Sequence, residues 1–508
     1  MIKAYFCSQL DTCKPDKMLH TRSPLPLILL AVTLFAAQTA AAQRTLSLDS
    51  CRNLALSNNH KLLAAEDHIS AATYEHRAAK TNYLPKLSAT AGYIYNARRT
   101  QLLSKDQRNT LNHLGDLAGS SLSQKAQELV QQFPDLAQLI GSLGTPSFPT
   151  LNALGKTITR AYSTDTHNLF GGGLVLTQPL YLGGRLKAYD KITDYTRLLL
   201  GSTRTELQQQ TILETDQAYW QVVSLKHKQA LAQSYLKMLQ KIDSDIQKMY
   251  QQGVVNKAST LNVRVKLNEA QLALTKVDNG LSLSRMLLCE ICGLPITDNI
   301  RLADEDDADI KTKPSSLAAD TTTAFLNRPD LEALKLATDI ADQNVKIVRS
   351  AYMPNIAAFG SYYLTNPNVY DGFRNKFGGN MSIGVALHVP IWNWGESKYR
   401  IRAAKAEADA SRHNYQQAKD LINLQVNQAR NQAEEAQKRL VIAQNNLAKA
   451  NENLHYADVG FHEGVISTSD LLEAQTAWVE AQSQKIDAQV DVKITQATML
   501  KAIGRIGN

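Results

Sequence analysis

An internal duplication of the chain limits the possible folds more than any other feature of the sequence. Proline and glycine motifs recur at a constant spacing of 211 residues, which pairs Pro179 with Pro390 and Gly253 with Gly464. An earlier Tyr-x-Pro motif recurs at a spacing of 269, so the first half carries an insertion of 58 residues between its two prolines. Duplication of a supersecondary unit produces this signature. The 508 residues are therefore predicted to form one architecture built twice, not several unrelated globular domains.

Each half is predicted to contain a very long helix, a glycine turn and a shorter return helix. In the second half, residues 396–463 contain no proline, and their single glycine is Gly460. Small and apolar residues follow at alternating steps of four and three from Ile422 to Phe461, which is the seam of a coiled coil. At ~1.5 Å per residue, such a helix is roughly 100 Å long, far more than a globular core requires. The first half keeps the pattern less regularly.

Four shorter segments have the alternation of β-strands. In residues 381–389 large apolar side chains alternate with small or polar ones, and residues 86–96, 172–182 and 355–365 behave similarly. A half-buried sheet in a soluble protein is one interpretation, but strands of about ten residues that end in aromatics are typical of membrane barrels. Small barrels need about eight strands, so four cannot close one. Membrane strands would therefore require several chains to share a barrel, and three chains would supply twelve strands.

The first forty-two residues are predicted to be a signal peptide. An apolar run over residues 25–37 precedes the small residues Ala40, Ala41 and Ala42, where cleavage is expected. Of the later cysteines, Cys289 and Cys292 form a C-x-x-C, which could be a redox pair or half a metal site. The duplication favours buried apolar positions instead, because the matching residues of the second half are Leu500 and Ile503.

The sequence gives no indication of catalysis. The 11 histidines are scattered, and neither a glycine-rich phosphate loop nor a Ser/His/Asp or metal-ligand spacing is present. A net charge of +8 without a basic stripe does not indicate nucleic-acid binding. We therefore predict that the protein is not an enzyme and has no catalytic residues, cofactor or metal.

In its motifs and their order, the chain resembles the TolC-like outer-membrane efflux protein family. The resemblance rests on residues 46–59 (LSLDSCRNLALSNN), 178–184 (QPLYLGG), 327–331 (NRPDL) and 464–475 (GVISTSDLLEAQ), and on both Tyr-x-Pro turns. It implies a fold that is mainly α with membrane β. Long coiled-coil helical hairpins and four β-strands per chain would form a trimeric 12-stranded barrel and an α-barrel. It also implies a location in the bacterial outer membrane, in contact with its lipid and extending into the periplasm.

The resemblance further implies a function and partners. The chain would be a homotrimer and the exit duct of a tripartite efflux or secretion system. It would meet a periplasmic adaptor (membrane fusion) protein that couples it to an inner-membrane pump, and small amphiphilic compounds would leave through the bore. The alternatives are a type I protein secretion duct, a structural periplasmic coiled-coil protein, or the adaptor itself. The last two would leave the duplicated strand pairs unexplained.

Candidate site residues follow from the repeat and the resemblance together. The adaptor-contacting tips are expected at Gly253, Val254, Val255, Gly464, Val465 and Ile466. The corners between strands and helices are expected at Pro85, Pro179, Gly184, Pro354, Pro390 and Gly395. Ile466 stands where some family members have a gating arginine, so the resemblance does not extend to a salt-bridge latch of that type.

Two carboxylates could constrict the periplasmic entrance. Asp470 and Glu473 are three residues apart at the start of a helix and so share one face. In a trimer they would form two rings of three carboxylates, which favour cations. A simpler interpretation is that acids in a first turn stabilise the helix, with Ser467 and Asp470 as a capping box. Helix capping alone and both roles together remain open on the sequence.

The repeat also sets the expected domain boundaries. Residues 1–42 are the signal peptide, 43–293 the first repeat, 294–325 an acidic linker placed at the equator of the cylinder by the resemblance, and 326–508 the second repeat. The loop 96–168 of the first repeat contains the insertion and is expected on the outer surface, with a helix possible within residues 121–140.

Overall fold

The protein is described by a computed structural model that covers residues 45–97, 103–132, 137, 148–162, 166–297, 299–307, 309–312, 321–371 and 374–507. The predicted signal peptide lies outside these residues. The described chain is mainly helical, with one four-stranded sheet and one two-stranded sheet. Among the described residues, no helix combines the length and the apolar composition that a bilayer crossing needs.

The first half begins with a short strand and two helices, β1 (Thr45–Leu46), α1 (Leu48–Asn58) and α2 (His60–Lys80). The strands β2 (Lys86–Tyr95) and β3 (Asn168–Leu182) follow, and between them lie α3 (Lys105–Asn112), α4 (Leu114–Gln132) and α5 (Pro149–Ala161). The long helix α6 (Arg185–Gln251) then leads to the return helix α7 (Lys257–Ile291).

The second half repeats this order. The short strand β4 (Arg301–Leu302) precedes α8 (Thr321–Asn327) and α9 (Pro329–Ser350), and the strands β5 (Asn355–Asn366) and β6 (Gly378–His388) follow. The long helix α10 (Glu396–His462) and the return helix α11 (Thr468–Ala502) complete the chain. Both long helices have 67 residues and both return helices have 35, and each pair is separated by the 211 residues of the sequence repeat.

The four-stranded sheet has the order β2-β3-β5-β6 and is antiparallel throughout. Its central pairing joins the two halves, with Val175 of β3 opposite Ser361 of β5. The large residues of β6 are exposed, with Ile383 at 77% and Leu387 at 64%. Each edge strand has one partner in the described chain, β3 for β2 and β5 for β6. This sheet, together with the long helices, confirms the predicted mainly α fold with β-strands of membrane type.

The chain divides into two compact units, and each draws on both sequence halves. One contains the described parts of residues 1–55, 215–312 and 443–490, and the other those of 56–214, 313–442 and 491–508. The first unit has an apolar core of side chains from α6, α7, α10 and α11. The second has a core in which Leu331 of α9 packs with Ile422 and Val426 of α10 and Met499 of α11. The division by sequence repeats stays a prediction, because these units cut across the repeats.

The insertion in the first half forms a small helical group where it is described. Helices α3 and α4 both pack against α5. Gly155 of α5 allows this approach, because an added Cβ would lie 1.7 Å from the carbonyl oxygen of Leu111. Helix α4 overlaps the segment 121–140, where the sequence analysis allowed a helix, and ends at Gln132. The placement of the loop 96–168 on the outer surface stays a prediction.

Candidate channel entrance at the hairpin turns

Each long helix ends in a turn whose geometry requires glycine. Gly253 has φ +74° and Gly464 has φ +77°, the left-handed conformation common just after a helix. In both turns the N–H of the residue after the glycine closes the helix, with Val254 N donating to Met249 O (2.9 Å) and Val465 N to Gly460 O (2.8 Å). The two predicted tips are therefore built in the same way.

The apolar residues that follow the glycines divide into an outward and an inward pair. Val254 is 63% exposed and Val465 is 82% exposed. Val255 and Ile466 instead pack against the apolar core of this unit. Two of the four apolar side chains predicted at the tips thus present a surface, and the other two anchor the turns.

The core behind the turns is contributed by four helices, α6, α7, α10 and α11. Fully buried side chains come from α6 (Ile246), α7 (Val263) and α11 (Leu471), and Phe461 of α10 is nearly buried. Burying side chains of this size contributes about 1.5–3 kcal/mol each. The turns are therefore held by the tertiary packing of four helices.

Asp470 caps helix α11. Its Oδ2 accepts hydrogen bonds from the Ser467 hydroxyl (2.8 Å) and, at 3.4 Å, from the Ser467 backbone N–H. In return the backbone N–H of Asp470 donates to Ser467 Oγ at 3.3 Å. These reciprocal bonds are the capping box expected from the sequence. In the first half Asn256 caps α7 by accepting from Ser259 N at 2.9 Å, so this helix is capped without an acid at Ser259, the position opposite Asp470.

Glu473 lies one turn further along α11, in a groove between the two return helices. The groove has a volume of about 400 Å³ and is also lined by Asn262, Val265, Lys266 and Glu269 of α7. Lys266 forms a salt bridge with Glu269 at 2.8 Å, and the hydrogen bond to this carboxylate raises the pKa of Lys266. Both Asp470 and Glu473 are exposed. The sequence did not predict Lys266 as a neighbour, because it is far away in the chain.

The predicted corners lie at the ends of strands and the starts of helices, with one difference. Pro85 and Pro354 directly precede β2 and β5, and Pro390 follows β6. Pro179 lies within β3 instead of beside it, at an irregularity in the pairing with β5. Since proline has no N–H for a ladder, a position at such an irregularity is where a strand tolerates it.

The glycines of the corners occupy the residue before each long helix. Gly184 has φ +85° and precedes α6, and Gly395 has φ +79° and precedes α10. Beside Gly395, the side chain of Trp392 is 75% exposed and that of Trp394 is 87% exposed. Exposed tryptophans at this corner suit a membrane–water boundary.

Across the residues that the structure covers, no group of three or more His, Cys, Asp or Glu side chains is arranged to hold a metal ion.

What the fold provides is a membrane-type sheet joined to long helical hairpins that end in two similar turns. That combination is typical of outer-membrane channels.

Comparison with known families supports this class. The family described as outer membrane efflux protein matches residues 127–293 and 322–505, which is more than half of the chain. The chain therefore belongs to the outer membrane efflux protein family. Membership confirms the predicted resemblance and the predicted location in the outer membrane, and it agrees with the prediction that the protein is not an enzyme.

Individual relatives are distant. An uncharacterised protein of Haemophilus influenzae is 20% identical over 281 residues, which are 55% of this chain and 61% of that protein. The alkaline protease secretion protein AprF of Pseudomonas aeruginosa is 22% identical over 260 residues, covering 51% of this chain and 53% of AprF. The chain thus spans little more than half the length of these relatives. The crystal structure of the CmeC outer membrane channel of Campylobacter jejuni has a TM-score of 0.71 at 16% identity, over 90% of this chain and 85% of CmeC.

Proposed function

We propose that the protein is the outer-membrane exit duct of a tripartite efflux or secretion system. The observation that carries this proposal is the four-stranded sheet, whose edge strands β2 and β6 each have a single partner in the described chain. In lipid, an unpaired backbone edge costs several kcal/mol for each polar group, so the edges must be paired with other chains. A homotrimer would pair β6 of one copy with β2 of the next and close a barrel of twelve strands.

The exposed side chains of β6 support a lipid-facing surface. Met381, Ile383, Val385 and Leu387 alternate along the strand and are all between 64% and 77% exposed. Exposure of four large apolar side chains on one face would be unfavourable in water but is the normal pattern on the outside of a membrane barrel. The helices would continue this barrel as an α-barrel into the periplasm.

The hairpin turns are the proposed docking points for a periplasmic adaptor protein that connects the duct to an inner-membrane pump. Val254 and Val465 are the apolar side chains that the turns expose. The core behind them fixes both turns, so an adaptor would meet a preformed surface.

Asp470 and Glu473 are the proposed constriction of the entrance. In a trimer, two carboxylates per copy on one helix face would concentrate negative charge around the axis and favour cations. The capping bonds of Asp470 do not exclude this role, because its carboxylate stays exposed while it accepts them. We therefore assign both roles to Asp470 and the constriction role alone to Glu473.

We propose small amphiphilic compounds as the cargo. The second candidate function is a type I protein secretion duct, which is favoured by the likeness to AprF, a protein named for alkaline protease secretion. Deletion of the gene distinguishes the two. Increased sensitivity to dyes and detergents supports efflux, whereas loss of a secreted protein without a change in sensitivity supports secretion.

Reconstitution of the purified protein in planar lipid bilayers tests the channel itself. We expect a heat-modifiable trimer that conducts with a preference for cations, and a lower preference in the double variant Asp470→Asn with Glu473→Gln. Asp307→Asn, which removes an acid from the loop after β4, is the matched control and should leave selectivity unchanged. Recovery of the protein from the soluble periplasm, or the absence of conductance, would overturn the proposal. Unchanged selectivity of the double variant would remove the constriction role only.

A further inference from the structure

The three cysteines after the predicted signal peptide lie close together in space, in the unit that contains the tip. Cys51 belongs to α1, Cys289 to the last turn of α7, and Cys292 follows α7 as its C-terminal cap. All three are buried with no exposed surface, and all are thiols in this structure. The Sγ atom of Cys292 lies 3.6 Å from the carbonyl oxygen of Cys51, although 241 residues separate the two in sequence.

The chain on both sides of Cys51 is fixed to other elements of the same unit, β4 and α6. Before it, β1 pairs with β4 in parallel, so Leu46 lies opposite Leu302. After it, the guanidinium of Arg52 donates two hydrogen bonds of 2.7 Å to Asp216. Contacts on both sides of Cys51 therefore hold it in place, so its position does not depend on a single contact.

The C-x-x-C pair is less suited to a disulfide than the pair formed by Cys51 and Cys292. Side chains three apart on a helix have Cβ atoms about 5–6 Å apart, whereas a disulfide requires about 3.5–4.5 Å. Cys292 reaches away from its own helix toward α1. The spacing of the C-x-x-C motif suggests a redox pair of Cys289 and Cys292. The contact with Cys51 instead favours Cys51 as the partner of Cys292.

We propose that Cys51 and Cys292 are joined by a disulfide in the exported protein, and that Cys289 stays a thiol. Membership of an outer-membrane family places the chain beyond the inner membrane, where disulfides form and persist. This inference goes beyond the proposed function and holds whether or not the protein conducts.

The oxidant is a thiol–disulfide oxidase of the periplasm. One cysteine thiolate attacks the oxidase disulfide and forms a mixed disulfide, and the second cysteine displaces the oxidase. The Cys51–Cys292 bond forms, the oxidase disulfide becomes a dithiol, and two electrons and two protons pass to the oxidase. The neighbouring Cys51 thiol and burial both raise the pKa of Cys292, so the folded thiol is a poor nucleophile. Oxidation therefore takes place before these residues are buried.

The test is a differential alkylation of protein isolated from outer membranes without reductant. Thiols are blocked with one maleimide in denaturant, the sample is reduced, and the new thiols are labelled with a second maleimide before peptide mass spectrometry. We expect Cys289 to carry the first label and Cys51 and Cys292 the second, with a linked peptide pair two hydrogens lighter in the unreduced digest. In a strain without the periplasmic thiol oxidase, all three should carry the first label.

Variants separate the disulfide from mere packing. In Cys51→Ala, we expect Cys292 to carry the first label, and the melting temperature should become insensitive to reductant. Cys289→Ala is the matched control, because Cys289 is equally buried one turn away and its loss should leave the reductant effect as in the unmodified chain. Labelling of all three cysteines before reduction in the normal strain, or a linked Cys289–Cys292 peptide, would overturn the proposal.

Discussion

The buried ion pair between α1 and α6 allows a sharp test of how the tip-containing unit is held together. Arg52 and Asp216 share two hydrogen bonds of 2.7 Å, and the side chain of Asp216 is 2% exposed against 29% for Arg52. Asp49 is a second partner of Arg52 at 3.1 Å, but its side chain is 84% exposed. The perturbations are Arg52→Ala and Asp216→Ala, each of which removes one side of the pair.

The two variants should lower the free energy of unfolding by different amounts, because the side chain that remains in each variant is buried to a different extent. Arg52→Ala leaves a carboxylate with almost no access to water, and breaking a buried pair in this way costs about 3–5 kcal/mol. Asp216→Ala leaves a guanidinium that still reaches water and Asp49, so its cost should be about 2 kcal/mol, below that range. We therefore expect Arg52→Ala to be the more harmful change at neutral pH.

The difference should disappear in acid. Burial raises the pKa of Asp216 above its ordinary value, and the hydrogen bonds from Arg52 oppose this shift. When Arg52 is removed, its opposing hydrogen bonds are lost, and the pKa of Asp216 in the folded state rises further. A carboxyl with a raised folded-state pKa contributes stability below its unfolded pKa and loses it as the pH rises through the folded value. Arg52→Ala should therefore recover stability on acidification, and its cost should fall to about 1 kcal/mol, the value of the lost hydrogen bonds.

Hydrogen exchange measured by mass spectrometry reads this effect locally. Peptides from α1 and from the segment of α6 around Asp216 report the opening of this region. Each 1.4 kcal/mol is a tenfold change in the opening equilibrium, so Arg52→Ala should speed exchange roughly a hundredfold or more near pH 7. Comparing variants with the normal protein at the same pH removes the intrinsic pH dependence of exchange.

Two results would refute this reasoning. An increase below tenfold near pH 7 would mean that the pair contributes little, and an equal increase near pH 7 and near about pH 4.5 would mean that the charge of Asp216 is not the cause. Arg301→Ala is the control, because the Arg301–Asp306 pair is about half exposed on both sides. Its removal should leave exchange unchanged, as expected for a surface pair.

Two further predictions concern glycines and the tip core. Gly504 has φ +72° and an added Cβ would lie 2.7 Å from the carbonyl of Asn327, whereas Gly464 has φ +77° and open space around it. Gly464→Ala should cost about 1–2 kcal/mol from backbone strain, and Gly504→Ala considerably more. Equal yields of the Gly464→Ala and Gly504→Ala proteins in outer membranes would contradict this expectation. Leu471→Ala removes a fully buried side chain and should cost about 2–5 kcal/mol, which faster exchange at both turns would reveal. Val465→Ala, at an 82% exposed position, is its control and should leave exchange unchanged.

Much of the fold could be predicted because its signals are local. The long helix expected over residues 396–463 forms from Glu396 to His462, and the strand expected over 86–96 forms from Lys86 to Tyr95. The glycine turns at Gly253 and Gly464 were predicted because a left-handed residue after a helix favours glycine. The count of four strands already indicated that several chains would share a barrel, and the resemblance added the expectation of a trimer.

The candidate site was predicted less completely. The capping box of Ser467 and Asp470 was recognised because its residues are three apart. The groove that places Glu473 near Lys266 was not, since it depends on how two return helices pack. The alternation already predicted a strand over residues 172–182 that continues past Pro179, but the irregularity in its pairing with β5 at Pro179 depends on the neighbouring strand and could not be predicted.

The order, length and duplication of the elements can be read from local signals, because proline, glycine and hydrophobic period act on the backbone within a few residues. Which distant residues meet depends on the packed fold. In the folded chain Cys292 contacts Cys51, not its neighbour in sequence Cys289. Likewise, Arg52 pairs with the distant Asp216. The physical reason is that such contacts depend on the packing of whole helices, and a sequence pattern records which face of a helix is buried without recording what covers it.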